Sequence, residues 1–211
     1  MMYANIAAMA RTSVWIAVVP LIVLLSGCAI GPQARDPMVS YDLGPQGTPA
    51  GIVAASRVTL MVPEASAPGW LDSTGIVYRL TYADSARPQV YAQSRWVDSP
   101  SALLTQRMRS RFVAVGPVVN GRDGARADYA LQVEIEDFSQ IFESPETSKV
   151  SVRLRVSLVN LASRTLQAQR TFSVSESSGP DARGAVRAFA QATDSILGDI
   201  LEWTRSSLKA N

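Results

Sequence analysis

The nine residues Val150–Leu158, VSVRLRVSL, alternate strictly between aliphatic and polar side chains. A period of two places one set of side chains on a core and the other in water, as an antiparallel sheet allows. The upstream stretch Tyr129–Ile135 repeats the alternation, and Leu166–Val174 follows Val150–Leu158 after the short loop Ala162–Thr165. We therefore predict an antiparallel meander of three strands.

The polar faces of the first two meander strands carry opposite charges. Glu134 and Glu136 lie on one strand, and Arg153 and Arg155 lie on the next. We expect cross-strand ion pairs, each contributing roughly 0.2–1 kcal/mol. Because residues two apart on a strand share a face, a solvated sheet face explains the two glutamates better than a catalytic carboxylate pair does.

Two helices are expected beside these strands. Ser99 is a good N-cap, and Pro100 suits the first helical position. The apolar stripe of this helix consists of Leu104, Met108 and Phe112. A second, longer helix runs from about Asp181 to Leu208, where apolar residues recur at spacings of three and four, as on a helix that packs on its own sheet. We interpret the arginines of the first helix as a solvated surface rather than a binding patch; they are Arg107, Arg109 and Arg111.

Shorter strands are predicted around the first helix, from β-branched and aromatic content bounded by turn residues. They are a brief edge strand at Tyr41–Leu43, then Val58–Val62, Ile76–Leu80, Val90–Trp96 and Val113–Val115. The order of strands, helix, strands and helix predicts an α+β fold, with a mainly antiparallel sheet and two helices packed on one face. We expect one such domain over residues 41–211.

The composition excludes several kinds of chemistry. The chain has no histidine, which excludes Ser–His and Cys–His catalysis and every histidine-bearing metal site. No glycine-rich phosphate loop is present. The 20 Lys and Arg residues nearly balance the 18 Asp and Glu residues, which gives no reason to expect nucleic acid as a partner. We predict a protein that is not an enzyme and has no catalytic residues, no metal and no cofactor.

The N-terminus carries an export signal. Arg11 precedes the apolar run Val14–Leu25, and the only cysteine, Cys28, follows this run in the sequence LSGC. The alternative is an uncleaved transmembrane anchor. The run would make only about 18 Å of helix, which is short for a hydrocarbon core of roughly 30 Å. This arrangement resembles the lipobox of bacterial lipoproteins, which implies removal of residues 1–27 and a covalent N-acyl diacylglycerol group, with palmitate as a typical acyl chain, on Cys28. Met1, Met2 and Met9 all remain open as the start.

A flexible tether is predicted over residues 28–40, because residues 29–56 are rich in Gly, Pro, Ala and Ser. In bacterial lipoproteins an aspartate after the acylated cysteine favours retention in the inner membrane. This chain has Ala29 at that position. The lipobox resemblance therefore implies sorting to the outer membrane.

Two apolar pairs lie where solvent is expected. Ile141 and Phe142 fall in a predicted long connection, Ser139–Ser148, and Trp70 and Leu71 follow a turn-like Pro68-Gly69. Each pair either folds back on the core or remains exposed as a contact for a partner. We take Ile141, Phe142, Trp70 and Leu71 as the candidate partner surface.

The order of landmarks resembles the ABC-type transport auxiliary lipoprotein family, which includes the PqiC lipoproteins. The most specific stretch, Trp70–Pro100, contains WLDSTGIVYRL and YAQSRWVDSP. The predicted long connection Ser139–Ser148 departs from the family pattern. The resemblance implies packing positions at the landmark residues Tyr41, Tyr78, Arg79 and Trp96.

The resemblance implies a fold like the N-terminal domain of TolB and a non-enzymatic role in lipid transport. The family resembles accessory components of systems with MCE (mammalian cell entry) domain proteins, which move lipids between the inner and outer membranes. It implies an adaptor on the inner leaflet of the outer membrane, facing the periplasm, with an MCE-domain protein as partner; a homo-oligomer stays open. The alternatives are an envelope assembly or regulatory lipoprotein, such as an activator of a cell-wall synthase, and a carboxylate-dependent periplasmic hydrolase.

Overall fold

The computed structural model describes residues 37–46 and 58–209. The predicted signal peptide, Cys28 and residues 28–36 of the predicted tether lie outside the described residues. In chain order the elements are β1 Val39–Tyr41, β2 Leu60–Met61, β3 Gly75–Leu80, β4 Asp84–Trp96, α1 Pro100–Phe112, β5 Val118–Val119, β6 Tyr129–Phe142, β7 Ser148–Asn160, β8 Thr165–Ser178 and α2 Ala182–Lys209. Val39 and Ser40, which the sequence placed in the tether, therefore belong to the first strand.

The three-stranded meander is confirmed. β7 pairs antiparallel with both β6 and β8 along nearly its whole length. Arg155 lies opposite Glu134 and donates to its carboxylate at 2.6 Å, and it also lies 3.5 Å from a Glu136 oxygen. A bulge between Ile135 and Asp137 shifts the register, so that Arg153 faces Asp137.

The rest of the sheet corrects the expectation of a mainly antiparallel arrangement. Only the β3–β4 hairpin adds another antiparallel pair among the described strands, whereas β1 runs parallel to β4, and β3 parallel to β6. β2 is parallel to both β5 and β6. The fold is thus α+β with a curled, mixed sheet. Side-chain alternation indicates which face is buried but carries no information on the direction of a neighbouring strand.

The first helix begins as predicted and ends differently. The Ser99 hydroxyl caps α1 by accepting from the N–H of Ala102 at 3.3 Å, and Pro100 is its first residue. The predicted strand Val113–Val115 is wrong, because these residues turn the chain at the helix end. The N–H of Val115 donates to the carbonyl of Phe112 at 2.8 Å, and the strand forms later, at β5.

The core lies between the sheet and the helices. α2 packs on β7 and β8, as its apolar seam predicted, and it also contacts α1. Phe138 of β6 stacks on Phe189 of α2 with ring centroids 4.4 Å apart, and Trp96 meets both rings edge-on. No helix within residues 37–46 and 58–209 combines the length and hydropathy needed to cross a membrane.

Candidate functional site

Trp70, Arg79 and Ile141 meet on one face of the sheet, although they are distant in sequence. Arg79 of β3 lies directly opposite Ile141 of β6 in the parallel register, so their side chains share a face. The guanidinium carbon of Arg79 lies 4.8 Å from the ring centroid of Trp70, within cation–π range. Trp70 is exposed and Ile141 is half-buried. We call these three residues the Trp70 cluster.

A fixed turn presents the Trp70 ring at the surface. The N–H groups of Leu71 and Asp72 donate to the carbonyl of Pro68 at 2.8 and 3.0 Å. The Asp72 carboxylate accepts from the hydroxyl of Ser101, at the start of α1, at 2.7 Å. Because Leu71 is buried beside it, the turn is held from below, and the indole needs little further ordering to contact another molecule.

Leu71 and Phe142 are buried, contrary to the expectation that they are exposed partner contacts. Leu71 packs into the core, and Phe142 ends β6 with its ring edge-on to Tyr78 at 5.9 Å. The predicted long connection is also wrong, because β6 continues to Phe142 and leaves residues 143–147 as the link to β7. Among the family landmarks, Trp96 is buried, and Tyr41 is half-buried against the core.

A polar network lies behind the β3–β4 hairpin. The Tyr91 hydroxyl donates to the Gln140 side-chain oxygen at 2.7 Å. The ring centroids of Tyr91 and Tyr78 lie 4.9 Å apart. The amide of the fully buried Gln140 donates to the Ser148 hydroxyl and to the carbonyl of Gly179, each at 2.9 Å. Burial, with smaller contributions from Asp181 and Tyr78, raises the pKa of Tyr91 to about 12. The phenol therefore stays a neutral donor, and the network joins β4, β6, β7 and the segment before α2.

A groove of about 550 Å³ lies between the segment that follows β1 and the first half of α2. Val97, which follows the end of β4, is exposed and also lines this groove. Besides Val97, its walls include Tyr41, Val186, Arg187, Ala190 and Asp194. The groove is open and largely apolar, with one exposed cation, Arg187, on its helical wall.

Arg107 of α1 lines this groove and is nearly buried, so the prediction of a solvated side chain is wrong. Its guanidinium binds the Asp194 carboxylate through two hydrogen bonds of 2.9 and 2.8 Å. It also donates to the carbonyls of Leu43 and Gly44, each at 3.0 Å. The side chain is only 5% exposed, whereas Asp194 is 33% exposed. Arg107 thereby joins both helices to the segment behind β1.

The other two arginines of α1 also have partners. Arg111 reaches Asp194 at 3.4 Å, and Arg109 donates to the carbonyl of Val62 at 2.9 Å. The sequence contained one weak sign that Arg107 is buried. It follows the stripe residue Leu104 by three positions and precedes Met108 by one, which places it on the flank of the buried face.

The exposed features described above are suited to contact with another surface. Within residues 37–46 and 58–209, no three His, Cys, Asp or Glu side chains come together in a group that could hold a metal ion. The Arg107–Asp194 pair is occupied with itself and with backbone carbonyls. The exposed features are instead an indole beside a guanidinium and an apolar groove, both of which recognise surfaces.

Comparison with known proteins gives a family and a fold. Residues 41–201 match the model of the family described as ABC-type transport auxiliary lipoprotein component. The crystal structure of protein XCC0632 from Xanthomonas campestris is similar, with 22% identity, a TM-score of 0.73, and coverage of 82% of this chain and 97% of that one. The crystal structure of an uncharacterized protein is similar at 15% identity and a TM-score of 0.63, covering 80% and 99%. Among curated proteins, no relative matched this chain.

Proposed function

Because this chain belongs to the ABC-type transport auxiliary lipoprotein component family, we propose that it is an outer-membrane lipoprotein that docks the periplasmic end of an MCE-type lipid transport system. The observation that carries the proposal is the extent of the family match, which runs from β1 through most of α2. The family is one of transport auxiliary lipoproteins and not of enzymes. A docking role accords with the contact surfaces of the fold.

Anchoring is assigned to Cys28. The cysteine ends an apolar run in the sequence LSGC, and it is the only thiol in the chain. An N-acyl diacylglycerol group carries three acyl chains, more than the two signals that stable anchoring requires. Ala29, in place of an aspartate, supports sorting to the outer membrane.

The Trp70 cluster is the part of the proposed docking surface that the described residues support best. Trp and Arg are the residue types most enriched at interface hot spots, and here an exposed indole lies against a guanidinium. Ile141 adds half-buried apolar surface beside Arg79. Leu71 and Phe142 are buried and are not part of this surface.

The test is capture of the MCE-domain partner by the acylated protein in envelope membranes, after crosslinking. Trp70→Ala should weaken capture about tenfold or more, as the loss of a hot spot of about 2 kcal/mol would do. Tyr82→Ala is the matched control, because Tyr82 is an exposed aromatic residue in the turn of the adjacent β3–β4 hairpin. Equal capture by both variants would remove the Trp70 cluster from the interface. Absence of the MCE protein from the wild-type capture would contradict the proposed function itself.

A further inference from the structure

Exposed apolar residues gather where the chain enters the folded domain. Met38 and Val39 are exposed at the start of β1, and Val97 is 57% exposed just after the neighbouring strand β4. The N–H of Val97 donates to the carbonyl of Tyr41 at 2.8 Å, which fixes it beside β1. The other exposed large apolar residues among the described ones lie in other parts of the fold: Trp70, Tyr82, Val90, Val113 and Leu166.

Two exposed arginines border this edge of the sheet, Arg95 on the face away from Trp96 and Arg187 on the side of α2. Arg95 lies opposite Ser40 in the parallel β1–β4 register, and its Nε donates to the Ser40 hydroxyl at 3.2 Å. Arg187 lies on the α2 wall of the groove that Val97 also lines. An arginine beside apolar side chains can keep its charged end at lipid phosphate groups while the apolar side chains enter the headgroup region of a bilayer. We call Met38, Val39, Val97, Arg95 and Arg187 the β1 surface.

The acidic residues nearby limit the role of charge. The carboxylates of Asp42 and Asp98 accept the backbone N–H groups of Gly44 and Ser99, at 2.8 and 2.7 Å. Since they offset the two arginines, the β1 surface has no strong net charge. A contact with lipid would therefore depend on apolar insertion and on arginine binding to phosphate groups, which all phospholipids carry.

The length of the chain before β1 identifies the occupant of this surface. Nine residue steps separate Cys28 from Pro37, so the two lie at most about 30 Å apart even when the chain is fully extended. If Cys28 is acylated, as the proposed function requires, the β1 surface is held closer to the bilayer than the far strands of the sheet need be. We propose that the β1 surface lies against the phospholipid headgroups of the membrane that holds the acyl chains, and that it sets the orientation of the domain.

The experiment compares single probes on the acylated protein in vesicles of phosphatidylethanolamine and phosphatidylglycerol. The only natural cysteine is consumed by acylation, so an introduced thiol is labelled alone. Val97→Cys places an environment-sensitive fluorophore in the β1 surface. Leu166→Cys is the matched control, because Leu166 is 58% exposed and lies in β8, five strands away from β1 along the sheet.

Spin-labelled lipids with the quencher near the headgroup should quench the probe at position 97 about threefold more strongly than the probe at 166, because interfacial burial reaches only roughly 5–10 Å. Arg95→Glu together with Arg187→Glu should reduce this difference. Equal quenching at 97 and 166 would overturn the proposal while the protein still floats with the vesicles. Probe self-quenching at 97 without lipid quenching would also overturn it and would indicate a second copy on this surface. Absence of fatty-acid labelling would instead refute the anchoring in the proposed function.

Discussion

At the scale of single residues, the central arginine of α1 determines how the helices are held. Arg107 satisfies one carboxylate and two backbone carbonyls from a nearly buried position. A buried guanidinium is costly unless every partner is present, and removal of one member leaves the others unpaired. The interaction therefore specifies one arrangement of α1, α2 and the segment behind β1.

We expect Arg107→Ala to lower the free energy of unfolding by about 2–4 kcal/mol, because Asp194 and two carbonyls lose their donor. Urea unfolding of the wild type and of Arg107→Ala measures this difference in stability. Arg187→Ala is the control, since Arg187 is exposed on the same groove, and it should stay within about 0.5 kcal/mol of the wild type. Equal effects of the two changes would show that the Arg107 contacts add no stability.

Tyr91 makes stability sensitive to alkaline pH. Its pKa is raised to about 12 in the folded protein, mainly by burial, against about 10 in the unfolded chain. The unfolded chain therefore loses its proton first, so the stabilisation is present below pH 10 and is lost as the pH rises towards 12. Since Tyr91 is only half-buried, we discount the full linkage value and expect a loss of about 1 kcal/mol.

The measurement is urea unfolding of the wild type and of Tyr91→Phe at pH values below 10 and near 12. At neutral pH the variant should be less stable by about 1–2 kcal/mol, because the Gln140 oxygen loses its donor. This difference in stability should shrink at alkaline pH, where the wild type loses the stabilisation that depends on protonated Tyr91. Tyr82→Phe, an exposed control, should follow the wild type throughout. A constant difference between Tyr91→Phe and wild type would contradict the linkage.

At the scale of elements, the start of α2 is determined by a close backbone approach. A side chain at Gly184 would meet the Cα and N of Gly179 at 2.7 and 2.8 Å. The Asp181 carboxylate accepts the N–H of Gly184 and caps the helix at this point. The first turn of α2 is thus packed on the chain that leaves β8, where there is no room for a Cβ.

Two glycines of this one helix should respond in opposite directions to alanine. Gly184→Ala should destabilise the protein by about 1–3 kcal/mol, because the backbone must shift. Gly198→Ala should stabilise it by about 0.5–1 kcal/mol, because a Cβ there meets only the Arg111 guanidinium at an ordinary 3.7 Å and alanine favours the helix. Thermal unfolding of both variants tests this. Stabilisation by Gly184→Ala would mean that the approach of residues 179 and 184 is loose.

At the scale of the whole molecule, the meander and α2 supply most of a hydrophobic core that lies within the domain itself. The inward residues of β7 are completely buried, and the aromatic group of Trp96, Phe138 and Phe189 joins β4, β6 and α2. The proposed membrane contact of the acyl chains and the β1 surface would be added to a domain that has its own buried core. Folding and anchoring should therefore be separable.

A chain of residues 29–211 without acyl groups should unfold in a single cooperative thermal transition, as small domains usually do. Cys28→Ser in the full chain should abolish fatty-acid labelling, because the acylated thiol is lost. Calorimetry and metabolic labelling check the two outcomes independently. Noncooperative melting of the shortened chain would mean that folding depends on a partner or on the membrane.

The sequence by itself determined the features that depend on residues a few positions apart. Alternation in VSVRLRVSL predicts a strand with one buried face, and Ser99-Pro100 predicts a helix start, because pleat and cap are local geometry. The pairing of the last two meander strands follows from the short loop Ala162–Thr165, which leaves antiparallel neighbours as the simplest pairing. The Trp70–Pro100 stretch also indicated the family, and the match over residues 41–201 confirms it.

Tertiary structure alone decided the features that depend on distant partners. Ser139 and Gln140 are polar, which favoured a loop, yet both are buried in β6, where Gln140 bonds to Ser148 and Gly179. Arg107 pairs with Asp194 across 87 residues, so its local charge pattern favoured solvent. The direction of the strands beside β6 likewise depends on which segments become neighbours. The same holds for the Trp70 cluster, whose residues come from distant parts of the chain. Periodicity indicates which face of an element is buried, but the partner that satisfies a buried polar group is set only when the chain folds.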